Sequence, residues 1–147
     1  MLEDVLDVRG VLEKIGGSVD MYHRILSTFY TQNRQAPEEL KKLFTGNYRS
    51  FRSRIHNIRN GAQNIGATEL TGQIVRIDSA INIGNKSYVR DNLSSLCSLL
   101  EEVLHAIARY LGEEGDTAVR KADKGPARAV QGASGFERGL SAAAGEP

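Results

Sequence analysis

From Tyr22 to Leu111 the large apolar residues return at intervals of three and four, and no run of alternating apolar and polar residues competes with that rhythm. A chain with this spacing buries helix faces and has no pattern for a sheet. The first short stretch joins Val8, Val11, Leu12 and Ile15 on one face, with Asp7 as its N-cap and Gly16 as its stop. Ser18 then opens a long helix in which Tyr22, Leu26, Phe29, Asn33, Ala36, Leu40 and Leu43 hold one phase. Pro37 falls inside it, and the unbroken phase predicts a kink, with a full break as the alternative. Gly46-Asn47 closes that helix and opens one with Phe51, Ile55, Ile58, Ala62 and Ile65 on its apolar stripe, ended by Gly66. Two more helices follow, one with Leu70, Ile74, Ile77 and Ile81, the other with Leu93, Leu96, Leu100, Val103, Ile107 and Leu111.

The expected fold is therefore all-α: an antiparallel four-helix bundle over residues 1–111, with the short extra N-terminal helix covering one end. Residues 112–147 change character, being rich in Gly and Ala with few large apolar side chains. Such a segment buries too little to offset its ordering entropy, so a disordered C-terminal tail is expected, with a weak helix near 117–122 as the one exception.

The Phe51–Ile65 stretch carries a second stripe. Arg49, Arg52, His56, Arg59, Asn60 and Gln63 recur in threes and fours, about 100° round the cylinder from the apolar face. No Asp or Glu occurs between Glu39 and Glu69, whereas Lys41, Lys42, Arg49, Arg52, Arg54 and Arg59 all fall in that gap. The chain as a whole carries a formal charge of only +1. The positive field is thus local, and it surrounds an imidazole that the pattern leaves in water. An exposed nucleophile among arginines suits a phosphoryl group. His23 and His105 lack such a stripe and read as ordinary surface or boundary residues.

The run His56-Asn57-Ile58-Arg59-Asn60-Gly61-Ala62-Gln63-Asn64-Ile65-Gly66-Ala67 resembles the active helix of histidine-containing phosphotransfer (HPt) domains of two-component phosphorelays, and the segment Asp7 to Gly17 resembles that family's short first helix. The resemblance continues through Phe29 and Leu70 to about Leu111. It implies that His56 accepts a phosphoryl group from a receiver-domain phospho-aspartate and passes it to another receiver. It implies Arg59, one turn on, as the group that neutralises and orients the phosphoryl. Arg52 and Gln63 become contacts for the partner's acidic rim. No cofactor is implied on this chain, since Mg²⁺ would sit in the receiver. The implied partners are response-regulator receiver domains and a hybrid histidine kinase, and the implied state is a monomer. The partner would dock over the first helix and the flanks of the two helices nearest His56. Where the family has Gly four residues after the His, this chain has Asn60. Asn60 either crowds the site or donates its amide to the phosphoryl oxygens.

Other classes fit less well. The sequence has no Gly-rich ATP loop, so phosphate must come from another protein and the chain reads as a stoichiometric carrier rather than a kinase. A single cysteine, Cys97, excludes a disulfide framework and a cysteine metal cluster. No apolar run approaches the roughly 18 residues of a membrane span, and Met1-Leu2-Glu3-Asp4 lacks the pattern of a signal peptide, which predicts a cytoplasmic protein without membrane contact. Binding of nucleic acid is disfavoured because tryptophan is absent, aromatics are few and the net charge is near zero. A receiver-docking adaptor unable to take phosphate is the closest alternative, on account of Asn60.

Overall fold

The computed structural model describes residues 2–112, and among these there are α-helices and no strand. After a single 3₁₀ turn at Leu2–Asp4, six helices follow: α1 (Val8–Lys14), α2 (Val19–Asn33), α3 (Ala36–Gly46), α4 (Tyr48–Ile65), α5 (Thr68–Asn82) and α6 (Lys86–Tyr110). The compact helical unit ends at Ala108. The expected tail and its weak helix lie outside the described residues.

The caps read from the sequence do the work expected of them. Asp7 accepts from the Gly10 amide at 3.1 Å, Ser18 from Met21 at 3.1 Å and Asn47 from Ser50 at 3.2 Å, each relieving an orphan N–H in a first turn. The apolar stripes are the core. Phe51, Ile55, Ile58, Ala62 and Ile65 of α4 are essentially inaccessible, as are Leu70, Ile74 and Ile77 of α5. Cys97 of α6 is buried too, its Sγ 3.5 Å from the Pro37 carbonyl, and burial pushes the thiol pKa up.

Pro37 does break the helix. α2 ends at Asn33, Arg34 and Gln35 form a turn, and α3 begins with Pro37 in its first turn, where the missing N–H is not needed. The apolar phase survives because the two linking residues remain near helical, with φ/ψ of −59°/−23° at Arg34 and −106°/3° at Gln35. Asn33, Ala36 and Leu40 are accordingly all buried. Arg54 braces the break from α4. Its guanidinium donates to the Gln32 carbonyl at 2.8 Å, to Asn33 Oδ1 at 2.9 Å and, through Nε, to Glu39 Oε1 at 2.8 Å.

Helix α4 packs against α1, α2, α3 and α5. Two glycines make its neighbours fit. At Gly61 a Cβ would come within 3.0 Å of the Phe29 ring, so glycine permits the close approach of α2. Gly66 ends α4 in the left-handed region at φ +82°, and a Cβ there would meet Val11 at 2.8 Å and the Asp7 carbonyl at 2.9 Å. Its own carbonyl accepts from the Asp7 amide at 2.8 Å, which ties the N-terminal segment to the turn between α4 and α5.

Candidate functional site

His56 stands in the middle of α4, one position past the buried Ile55, and its side chain is 60 % exposed. The apolar stripe holds the helix face down, and the imidazole therefore emerges beside the core rather than within it. Arg59 follows one turn later and is partly exposed. Both side chains lean toward α5. There Asp78, which lies between the buried Ile77 and the rest of that helix's polar face, retains only 15 % of its side-chain exposure. Its Oδ2 accepts from the Arg59 guanidinium at 2.9 Å and lies 3.7 Å from His56 Nδ1. The latter spacing is within ion-pair range and longer than a hydrogen bond.

A shallow basin of about 550 Å³ opens beside this trio. Its wall from α4 is Arg49, Arg52, Ser53, His56, Asn57 and Arg59, and its wall from α5 is Asp78 and Asn82. Of the residues singled out in the sequence, His56, Arg59 and Arg52 are thus brought together on one concavity. Asn60 and Gln63 are not. Both are exposed on α4 and neither borders the basin. His105 lies elsewhere, on α6, where it lines a separate cavity with Tyr30, Arg34, Pro37, Glu38, Glu101 and Leu104. Among the described residues no group of three or more His, Cys, Asp or Glu side chains is arranged to hold a metal ion.

The local field differs from the one the acid-free gap suggests. Arg54 turns away from the stripe and is paired with Glu39, and Arg59 is paired with Asp78. Arg49 and Arg52 have no carboxylate partner among the described residues, and they supply the open positive charge of the basin. Asp78 is the residue that the sequence pattern overlooked. A signal for it existed: Asp78 lies as far beyond the Gly66-Ala67 turn as His56 lies before it, to within a residue, so two antiparallel helices joined there bring the two into register.

Comparison with known protein families, curated proteins and solved structures finds no match.

Proposed function

We propose that the chain is a histidine phosphotransfer protein whose His56 accepts a phosphoryl group from a receiver-domain phospho-aspartate and hands it to another receiver. In this reading α2 and α3 act as one broken rod that completes an antiparallel four-helix bundle with α4, α5 and α6, and α1 covers one end. The observation that carries the reading is the exposed His56 imidazole, with Nδ1 turned toward the Asp78 carboxylate and Arg59 in the same basin.

The chemistry follows from that pairing. A carboxylate beside Nδ1 favours the tautomer with the proton on Nδ1, leaving the Nε2 lone pair toward solvent. Nε2 attacks the phosphorus of the partner's acyl phosphate, an N–P bond forms, and the P–O bond to the aspartyl carboxyl breaks, so the partner leaves with a free carboxylate. The ring gains positive charge and keeps its Nδ1 proton, and Asp78 stabilises it. Arg59 neutralises the transferred oxygens, exchanging part of its contact with Asp78 for one with the phosphoryl group. Mg²⁺ belongs to the receiver, where it balances the acyl phosphate. The reading assigns the chain to the cytoplasm as a monomeric carrier. No described helix is long and apolar enough to cross a membrane.

The test mixes the full chain with phosphorylated receiver domains and Mg²⁺. Label should appear on His56, be lost in acid and persist in base, and sit on Nε2 by ¹⁵N NMR. His56→Gln should take no label while melting like the parent, because the side chain is exposed. Label retained by His56→Gln would refute the assignment. Two observations favour the adaptor reading instead: Asn60 lies one turn beyond His56, and Arg59 is already engaged by Asp78. An adaptor would bind receivers and never carry label.

A further inference from the structure

Two turns meet where α4 begins. Lys86, at the start of α6, holds its Nζ 4.5 Å from the centre of the Tyr48 ring and 5.8 Å from that of Phe44, so the turn before α6 lies against the turn before α4. Phe44 and Tyr48 meet edge to face at 5.7 Å, and each is half-buried. Ile83, which ends α5 on the same turn as Lys86, is 79 % exposed, more than any other large apolar residue described. The two ends of α4 also differ in charge. No Asp or Glu occurs between Glu39 and Glu69 or between Asp78 and Asp91, and both turns fall inside those gaps. Arg49, Lys86 and Arg90 are exposed there and have no carboxylate partner among the described residues. At the far end of α4, where the start of α2 lies beside Asn64 and Ile65, Asp20 and Glu69 interrupt the basic charge.

We infer that this end of the molecule docks peripherally on an anionic bilayer, with Ile83 entering the headgroup region and Arg49, Lys86 and Arg90 facing the lipid phosphates. Each part suits that occupant. An isoleucine at the tip of a turn gains by leaving water for the acyl boundary, and a tyrosine, apolar in its ring and polar at its tip, belongs at headgroup level. Cations without acidic neighbours are drawn to the negative potential of a bilayer surface. A nucleic-acid backbone would use the cations and leave Ile83 in water. A protein hot spot needs surrounding contacts that exclude water, whereas a bilayer closes round any side chain that enters it. Such contact requires no membrane-spanning segment. His56 lies two turns along α4, about 12 Å from Tyr48, so a bilayer at this end leaves the imidazole in water. The inference therefore stands apart from the phosphotransfer reading.

The experiment sediments the full chain with vesicles of equal parts phosphatidylcholine and phosphatidylglycerol, and with vesicles of phosphatidylcholine alone. The chain should bind the mixed vesicles, lose affinity as salt rises, and stay in solution with the neutral ones. Arg49→Glu/Lys86→Glu should weaken binding by about tenfold or more, and Lys86→Arg should bind like the parent. Ile83→Ser should weaken it by about tenfold. The sequence contains no tryptophan, so Ile83→Trp supplies a reporter whose emission should shift to the blue on mixed vesicles. All these side chains are exposed, so the variants should melt like the parent. The inference is overturned if mixed vesicles do not bind, if neutral vesicles bind as well, or if the charge-reversed chain binds like the parent. It is also overturned if the Ile83→Trp emission on vesicles stays that of a residue in water. A short RNA duplex or a receiver domain that shifts the amides of Ile83 and Lys86 at lower concentration than mixed vesicles displace it would overturn it too. None of these outcomes depends on label at His56.

Discussion

The two flanks of α4 use the same device for different ends. Toward α2 and α3, Arg54 spends its whole fork on the Gln32 carbonyl, Asn33 Oδ1 and Glu39, and Asn33 is itself buried and donates to the Phe29 carbonyl. Toward α5, Arg59 makes one hydrogen bond, to a carboxylate shared at longer range with an imidazole that stands in water. The first arginine ties the end of α2 to the start of α3 across the helix break. The second is held by a single contact that another anion can replace. A guanidinium is thus structural where it joins several partners on another pair of helices, one of them the buried Asn33, and available for chemistry where it has a single partner beside an imidazole that stands in water.

The contrast can be broken by experiment. The largest change in stability is expected from Arg54→Ala, which strands the buried Asn33 Oδ1 and should cost about 1–2 kcal/mol, read as a lower denaturant midpoint. An equally stable Arg54→Ala would erase the difference between the flanks. Arg59→Ala should do the opposite. Phosphotransfer to His56 should slow by roughly ten- to a hundredfold, on the order of 1.4–3 kcal/mol in the barrier, with a melting temperature close to the parent's. A wild-type transfer rate in that variant would reduce Arg59 to a surface charge. Asp78→Asn keeps the shape and removes the charge, so the fold should hold while transfer falls by about tenfold at most, because the charged ring loses its counter-ion. If the rate in Asp78→Asn instead rises, Asp78 acts mainly by withholding Arg59. The smallest effect is expected from Asn60→Gly, which costs helix stability of up to ~1 kcal/mol. Faster transfer in that variant means Asn60 crowds the approach to His56, and slower transfer with a shorter phosphohistidine half-life means its amide holds the phosphoryl group.

Much of this architecture could be read one residue at a time. The buried faces of α4 and α5 follow from spacing alone, and the caps at Asp7, Ser18 and Asn47 follow from short side chains before an apolar run. The fate of Pro37 did not, because an intact phase fits a kink and a near-helical turn equally well, and the choice depends on the brace that Arg54 supplies from another helix. The site shows the same division. His56, Arg52 and Arg59 belong to one stripe and were legible from helical spacing. The turn of Arg54 toward α2 and α3 and the arrival of Asp78 depend on which helix faces which, a matter of tertiary pairing that no single stripe records. Counting charges along the chain therefore overstated the open positive field around His56, which within the basin comes down to Arg49 and Arg52.

The Gly66 turn has a consequence for how such a chain can vary. Because Asp7 is tied to the Gly66 carbonyl and Gly66 adopts a left-handed conformation, the start of α5 is fixed relative to the end of α4. Each residue added inside α5 before Asp78 would swing its carboxylate by about 100° and advance it by 1.5 Å. The hairpin thus works as a ruler, and its length is a coded quantity. Lengthening the α5–α6 turn after Gly84 leaves the ruler untouched, while a single insertion between Ala67 and Asp78 misreads it and separates His56 from its carboxylate without disturbing either helix's apolar composition.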